Sequence, residues 1–356
     1  MKDQKPFFSL IIPCCDVEPY VRECLDSVLH ETFQSWECLI GVETSKDKTE
    51  EVVREYAAKD SRFKMFTGPR SGSCSASRNT GTDMATGEYV IFLDGDDTIA
   101  EGSLQRIHDK IAERPGADLY PCAIVVHNEL TGENSEIRDN YPKDFSDELS
   151  GPNATLMLER LFASSFPCPM LQLTVFRREF LVEHDLKCIY GLRHQDSEFS
   201  PRALYLAKRV VPIHEPFYLY RIRENSVQTQ SKKAGRFHKD LAIRLKSLID
   251  FNARVSREPG FDRRISKAWA RRWTTTIYRM WFASASVAAV PLETRVETFG
   301  IIFSDGTGSF DVLLESASLP ARIAGWWAKK SLCGRKWRRL AELFFKLVYF
   351  PILSRL

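Results

Sequence analysis

From residue 8 to residue 126 the chain alternates two hydrophobic patterns. Short, mostly apolar runs at Phe8–Pro13, Glu37–Val42, Phe63–Phe66, Tyr89–Leu93 and residues 118–126 have the character of strands buried on both faces. Between them, apolar residues recur at helical spacing. Tyr20, Val21, Cys24, Leu25 and Val28 mark one helix, and Val52, Val53, Tyr56 and Ala57 a second. Residues 73–85 and 102–113 predict two more, the last closed by Pro115-Gly116. Strands alternating with helices over short connections predict an α/β fold with a parallel sheet and right-handed crossovers.

Residues 128–152 are polar and turn-rich, which predicts a loop or hairpin. A mixed pattern returns over 153–220, and residues 236–285 are helical and rich in Arg and Trp. Residues 300–320 have a loop-like pattern with one short helix, and 321–356 read as a basic, aromatic helix or helix pair.

Composition narrows the class. With 44% hydrophobic and 27% charged residues, the chain of 356 residues suits a globular protein with one large core and an appendage. A net charge of +3 points to no nucleic-acid partner, because the basic excess is confined to the tail, where residues 322–339 carry Lys and Arg and no acid. Nine cysteines without paired spacing read as free thiols in a reducing cytosol. The charged start, Met1 to Lys5, argues against a signal peptide, and no apolar run reaches the roughly 20 residues that span a bilayer.

The chemistry concentrates where the Tyr89–Leu93 strand ends, in Asp94-Gly95-Asp96-Asp97. α/β folds bind ligands at the carboxyl ends of their strands. Clustered carboxylates there need a cation, or one of them keeps a proton. Hard oxygen ligands suit Mg²⁺ or Mn²⁺, ions that usually arrive with a diphosphate. An acidic, solvated turn is the simpler alternative for this stretch taken alone.

Further motifs stand in a fixed order around it: Phe8-Ser-Leu-Ile-Ile-Pro13, Val17 to Val28, Thr32-Phe-Gln-Ser-Trp-Glu37, Ser77-Arg-Asn-Thr-Gly81 and Ala85 to Asp97. In this order and spacing the set resembles the family 2 glycosyltransferases, inverting nucleotide-sugar enzymes of GT-A fold, a Rossmann-like αβα sandwich. The resemblance is strong over residues 7–100 and looser to about residue 230.

The resemblance implies a role for each matched position. Asp96 and Asp97 are the metal ligands, Asp96 foremost, with Asp94 near the ribose or the metal's water. Pro13, Cys15, Asp16 and Glu43 line the nucleotide, and Gly95 belongs to the same donor-binding turn. Two departures stand out: Val42-Glu43-Thr44-Ser45 replaces a pair of aspartates before Gly-Ser, and Cys14-Cys15-Asp16 replaces Tyr-Asn or His-Asn. Glu43 is otherwise a surface acid. Arg78 reaches the diphosphate or pairs with Asp94. In His194-Gln195-Asp196-Ser-Glu198, the resemblance assigns Asp196 as general base, with Glu198 its rival and a helix N-cap its structural alternative. Arg221 and Arg223, in Tyr220-Arg-Ile-Arg-Glu-Asn-Ser226, are candidates for the diphosphate or a charged acceptor, or for a solvated strand edge. Lys232 to Arg236 is a candidate lid.

The expected organisation is a GT-A domain over residues 1–235 and a helical region over 236–356. The expected reaction is metal-dependent, inverting transfer from a UDP-hexose or UDP-N-acetylhexosamine to a glycan or lipid-linked acceptor in surface polysaccharide synthesis. The cofactor is Mn²⁺ or Mg²⁺. Trp326, Trp327, Trp337, Phe344 and Phe345 among Lys and Arg suit a helix lying in a membrane interface, which implies a peripheral protein on the inner face of the membrane. Packing on the domain, or a homodimer contact, is the alternative for the tail. Rival functions are a nucleotide-sugar-binding assembly partner without turnover, which Val42 and Gln195 keep open, and a nucleotidyltransferase, whose Gly-rich first loop is missing here.

Overall fold

The computed structural model describes residues 5–129, 131–135, 149–150, 170–223, 234–281 and 292–304, with a few helical residues between 311 and 340. Two compact units divide the chain, the described residues up to 223 falling in the first and those from 234 in the second.

In the first unit the alternating pattern becomes β1 (Phe8–Cys14), α1 (Glu18–Leu29), β2 (Trp36–Glu43), α2 (Thr49–Lys59), β3 (Phe63–Gly68), α3 (Ser75–Met84), β4 (Tyr89–Phe92), β5 (Thr98–Ile99) and α4 (Ser103–Glu113). Then follow β6 (Leu119–Pro121), β7 (Ala123–Asn128), β8 (Glu133–Asn134), β9 (Leu149–Ser150), β10 (Thr174–Arg177), α5 (Arg178–Glu183), α6 (Asp196–Leu206), β11 (Arg209–Val210) and β12 (Pro216–Ile222). The main sheet has the order β3-β2-β1-β4-β10-β6-β11-β9. Strands β3, β2, β1 and β4 run parallel, and β10 is antiparallel to β4 and β6. Every residue of β1 and β2 is buried, as their apolar runs require of central strands.

The sheet reverses order beside β1, with β2 on one side and β4 on the other, and ligand sites of open α/β sheets gather at such a point. Helix packing there needs Gly81 and Gly41. A Cβ on Gly81 would stand 2.5 Å from Ile11 Cγ2 of β1, and one on Gly41 would stand 2.6 Å from Ser77 Cβ of α3. Glu31, 2% exposed, receives the N–H groups of Ser103 and Leu104, capping α4 from a remote loop.

The run at 118–126 is not one strand. It divides at Cys122 into β6 in the main sheet and β7 in a second sheet of order β5-β12-β7-β8. Both halves are apolar, so periodicity gives no sign of the break. At the start of the turn-rich stretch, where a loop or hairpin is expected, a hairpin pairs His127 with Asn134; most of the rest lies outside the described residues.

In the second unit, α7 (Ala234–Val255), α8 (Arg263–Trp281) and α9 (Leu292–Ile302) form a separate core. Trp269 and Trp273 are buried and stacked at 5.2 Å, and Ser266 donates to Asn252 Oδ1 at 2.7 Å between α8 and α7. Among the described residues no helix is long and apolar enough to cross a membrane. Most of the basic tail and the candidate lid at Lys232 lie outside the described residues.

Candidate active site

The three acids leave β4 together and then part company. Asp94 takes Arg78 Nη2 on Oδ1 and Gln172 Nε2 on Oδ2, the latter at 2.7 Å. Asp97 turns inward and is 2% exposed. Its Oδ2 accepts from the Tyr218 hydroxyl at 2.6 Å and its Oδ1 from the Arg221 N–H at 2.8 Å. The same hydroxyl accepts the Asp94 N–H at 3.2 Å, so Tyr218 stitches the turn to β12. Asp96 meets Arg223 through Nε at 3.0 Å and Nη2 at 2.8 Å, both on Oδ2.

Burial, then the neighbouring negative charge of Asp94, raises the Asp96 pKa against the pull of Arg223. Burial and the charges of Asp96 and Asp94 push Asp97 well above the usual carboxylate range. Asp94 and Asp96, by contrast, have arginine partners. Gly95 between them fits because a Cβ there would stand 2.8 Å from Cys14 Sγ and 3.1 Å from the Pro13 carbonyl. The acidic turn thus presses on the end of β1.

Arg78 ties the turn to a distant loop. It lies on α3 with a side chain 5% exposed. Burial opposes its charge, yet Asp94 more than compensates and its pKa is raised. Its Nη1 also donates to Gln195 Oε1 at 3.2 Å, and Gln195 precedes α6. Asn79, one residue on, bonds both backbone groups of Cys188, at 2.8 and 2.9 Å. Ser75 accepts the Gly191 N–H at 2.8 Å. Ser75, Arg78 and Asn79 share one face of α3 at i, i+3 and i+4. Together they fix the loop that delivers Asp196 at the start of α6.

Asp196 is half-buried there. Glu198 is 0% exposed and binds Arg202 through Nε at 2.7 Å and Nη2 at 2.8 Å. That pairing commits Glu198 to Arg202, and Asp196 is the more exposed of the two carboxylates.

The nucleotide candidates stand at the ends of β1 and β2. Asp16 has φ of +53°, a left-handed conformation that Asp tolerates better than most residues. It accepts the Lys46 N–H at 2.7 Å and pairs with Arg70 at 2.6 Å, and these bonds lower its pKa. Glu43 is buried and holds Ser71, accepting its N–H at 2.8 Å and its hydroxyl at 2.6 Å. Cys15 is half-buried, its Sγ 3.9 Å from the Thr44 carbonyl. Arg221 is largely committed to the protein, donating to Glu23, Glu129 and the Asp96 carbonyl. Arg223 faces Asp96 and lies over the Tyr20 ring at 4.7 Å.

Gln172, Tyr218 and Ser71 join the site without a sequence signal that singles them out. Gln172 sits on a 3₁₀ turn (Leu171–Leu173) before β10, in a stretch without motif. It reaches Asp94 only because β10 runs antiparallel to β4, bringing the start of one strand to the end of the other.

The family model for glycosyl transferase family 2 matches residues 9–182, the stretch that builds β1 to β4, α3 and β10. Over those residues the chain matches glycosyl transferase family 2, the family its motifs resemble. Among its relatives, the uncharacterized glycosyltransferase EpsJ of Bacillus subtilis is 29% identical over 225 residues, 62% of this chain and 63% of EpsJ. The GalNAc(5)-diNAcBac-PP-undecaprenol beta-1,3-glucosyltransferase of Campylobacter jejuni is 26% identical over 271 residues, 72% of this chain and 79% of that protein. The chain therefore spans under two thirds of EpsJ and, for another curated relative, 31% of the length. Staphylococcus aureus TarS 1–349, solved in complex with UDP-GlcNAc, superposes with a TM-score of 0.68 at 17% identity, covering 96% of this chain and 92% of that one. That likeness shows a shared GT-A fold, as the motifs imply.

Proposed function

We propose that this family 2 protein is an inverting glycosyltransferase that takes its sugar from a nucleotide diphosphate sugar, with UDP as the carrier. The observation that carries the reading is the Arg78 bridge. One buried guanidinium holds both the Asp94 turn at the end of β4 and the Gln195-Asp196 junction at the start of α6. Transfer needs a leaving-group site and a base in fixed register, because positioning supplies much of the rate. In this reading the acceptor hydroxyl oxygen attacks the anomeric carbon, Asp196 takes its proton, and the bond from that carbon to the diphosphate oxygen breaks, releasing UDP.

Among the described residues no three His, Cys, Asp or Glu side chains gather as a ready-made metal cage. The donor set still fits Mn²⁺ or Mg²⁺, which bind through one or two carboxylates and fill their shells with water and substrate phosphates. Asp96 would hold the ion, and Asp94 its water. Asp97, occupied by Tyr218 and the Arg221 N–H, would support the turn from behind. A bound ion would neutralise charge on the leaving diphosphate. Pro13, Cys15, Asp16, Glu43 and Arg78 line the nucleotide side, and Arg223 is the arginine placed to move from Asp96 to a diphosphate.

For the acceptor we propose a glycan or lipid-linked sugar of a surface polysaccharide. The Campylobacter relative supports this, since its name places its substrate on a polyprenyl diphosphate. The first unit carries the donor chemistry, and the basic aromatic tail brings the protein to the membrane face.

The test is a panel of UDP-sugars with and without Mn²⁺, read by thermal shift and by UDP release. A donor that stabilises the protein only with metal and releases UDP supports the proposal. A panel in which none binds with or without metal overturns it.

A further inference from the structure

We propose that Gln172 is a donor-recognition residue whose Oε1 accepts a hydrogen bond from a sugar hydroxyl of the bound nucleotide sugar. The inference rests on the donor reading above and assigns a contact that no motif of this chain marks.

The amide does two different things. Its Nε2 donates to Asp94 Oδ2 at 2.7 Å, and since a carboxylate can only accept, that bond fixes which end of the amide faces Asp94. The other end, Oε1, is buried and has no hydrogen-bond partner among the described residues. A buried polar atom left unpaired is costly, and native sites commonly leave one where a ligand completes the set. Asp94 is already met by Arg78 on its first oxygen and by Gln172 on its second. The group that satisfies Oε1 must therefore be a hydrogen-bond donor close to the acidic turn. A sugar hydroxyl meets both conditions. A phosphate oxygen, an acceptor, meets none of the bonding requirement.

The position also suits a role in discrimination. Gln172 belongs to the turn before β10, and its neighbours Leu171 and Leu173 are buried, so the side chain is anchored rather than adaptable. A site built to hydrogen-bond a hydroxyl rejects an analogue that lacks it, because the protein atom is then left unpaired.

The experiment compares the full chain with Gln172→Met, which keeps the side chain's length and removes both polar ends, and with Gln172→Glu, which keeps an acceptor but sets a second carboxylate against Asp94. UDP, UDP-glucose, UDP-GlcNAc and their deoxy analogues are the probes, with binding and steady-state kinetics as readouts and thermal melting as a check on folding. Gln172→Met is expected to raise the donor KM about three- to tenfold with a smaller change in kcat, the loss of one ordinary hydrogen bond. One deoxy analogue should bind wild type and Gln172→Met equally. Weakening confined to UDP-sugars identifies a hydroxyl of the transferred sugar, and weakening of UDP as well identifies a ribose hydroxyl. A folded Gln172→Met that binds every probe as wild type does, or weakens all deoxy analogues as much as the parent sugars, overturns the inference. Wild type that binds no probe overturns the donor reading itself.

Discussion

Arg223 places both Nε and Nη2 on a single oxygen of Asp96, at 3.0 and 2.8 Å. The pair is partly exposed, with side-chain accessibilities of 15% and 28%. A guanidinium thus stands where a divalent ion would need to approach the proposed metal ligand. Asp96→Asn should abolish Mn²⁺-dependent donor binding while the fold survives, with turnover falling by roughly two orders of magnitude or more. Arg223→Met should bind Mn²⁺ more tightly without nucleotide and turn over donor more slowly. Activity that persists in excess EDTA would remove the metal from the scheme.

Arg78 carries its charge on a side chain only 5% exposed, and removing one partner of a buried ion pair typically costs about 3–5 kcal/mol. Arg78→Met should fall toward the lower end of that range, because Asp94 is 22% exposed and keeps Gln172. Urea denaturation measures it. Arg78→Lys keeps the charge but cannot reach Asp94 and Gln195 together, so its loss should be intermediate.

Asp196 and Glu198 should separate cleanly. Asp196→Asn should bind UDP-sugar as wild type does and transfer almost nothing, because a base acts on the acceptor's proton. Glu198→Gln should lower the melting temperature, since it weakens the buried pair with Arg202. Transfer lost in Glu198→Gln and kept in Asp196→Asn would reverse the assignment.

Cys15 would report on the proposed nucleotide site. Burial raises its thiol pKa, and Arg70 only partly offsets that. The thiolate is the reactive form, so iodoacetamide labelling of Cys15 should be slow at neutral pH and accelerate as pH climbs past the ordinary thiol value. Cys14, Cys24 and Cys38 are buried and raised further, and should lag behind. UDP should slow Cys15 labelling in peptide mapping by mass spectrometry. An unchanged rate under saturating UDP would place the nucleotide elsewhere.

The tail makes the last prediction. Full-length protein should sediment with anionic vesicles and be released by salt, since each Lys or Arg near an anionic surface contributes on the order of 1 kcal/mol. A chain ending near residue 318 should stay in the supernatant and keep UDP binding, because the donor residues named here all precede residue 224. A truncated chain that sediments equally would make the tail an intramolecular or subunit contact.

The sequence by itself determined the layout. Apolar runs and helical spacing were enough for β1 to β4 and α1 to α4, because burial on both faces writes itself into composition. The order of the motifs was enough for the family and for the nomination of Asp94, Asp96, Arg78 and Asp196. What the three acids do was not legible, since Asp94, Asp96 and Asp97 are the same residue type within four positions. Only the tertiary structure set Asp97 against Tyr218, Asp96 against Arg223 and Asp94 against Arg78 and Gln172. The division of 118–126 between two sheets, the pairing of Glu198 with Arg202 and the approach of Gln172 were likewise decided by packing. Each depends on residues far apart in the chain meeting at one sheet end, and local pattern carries no information about which distant partner will arrive.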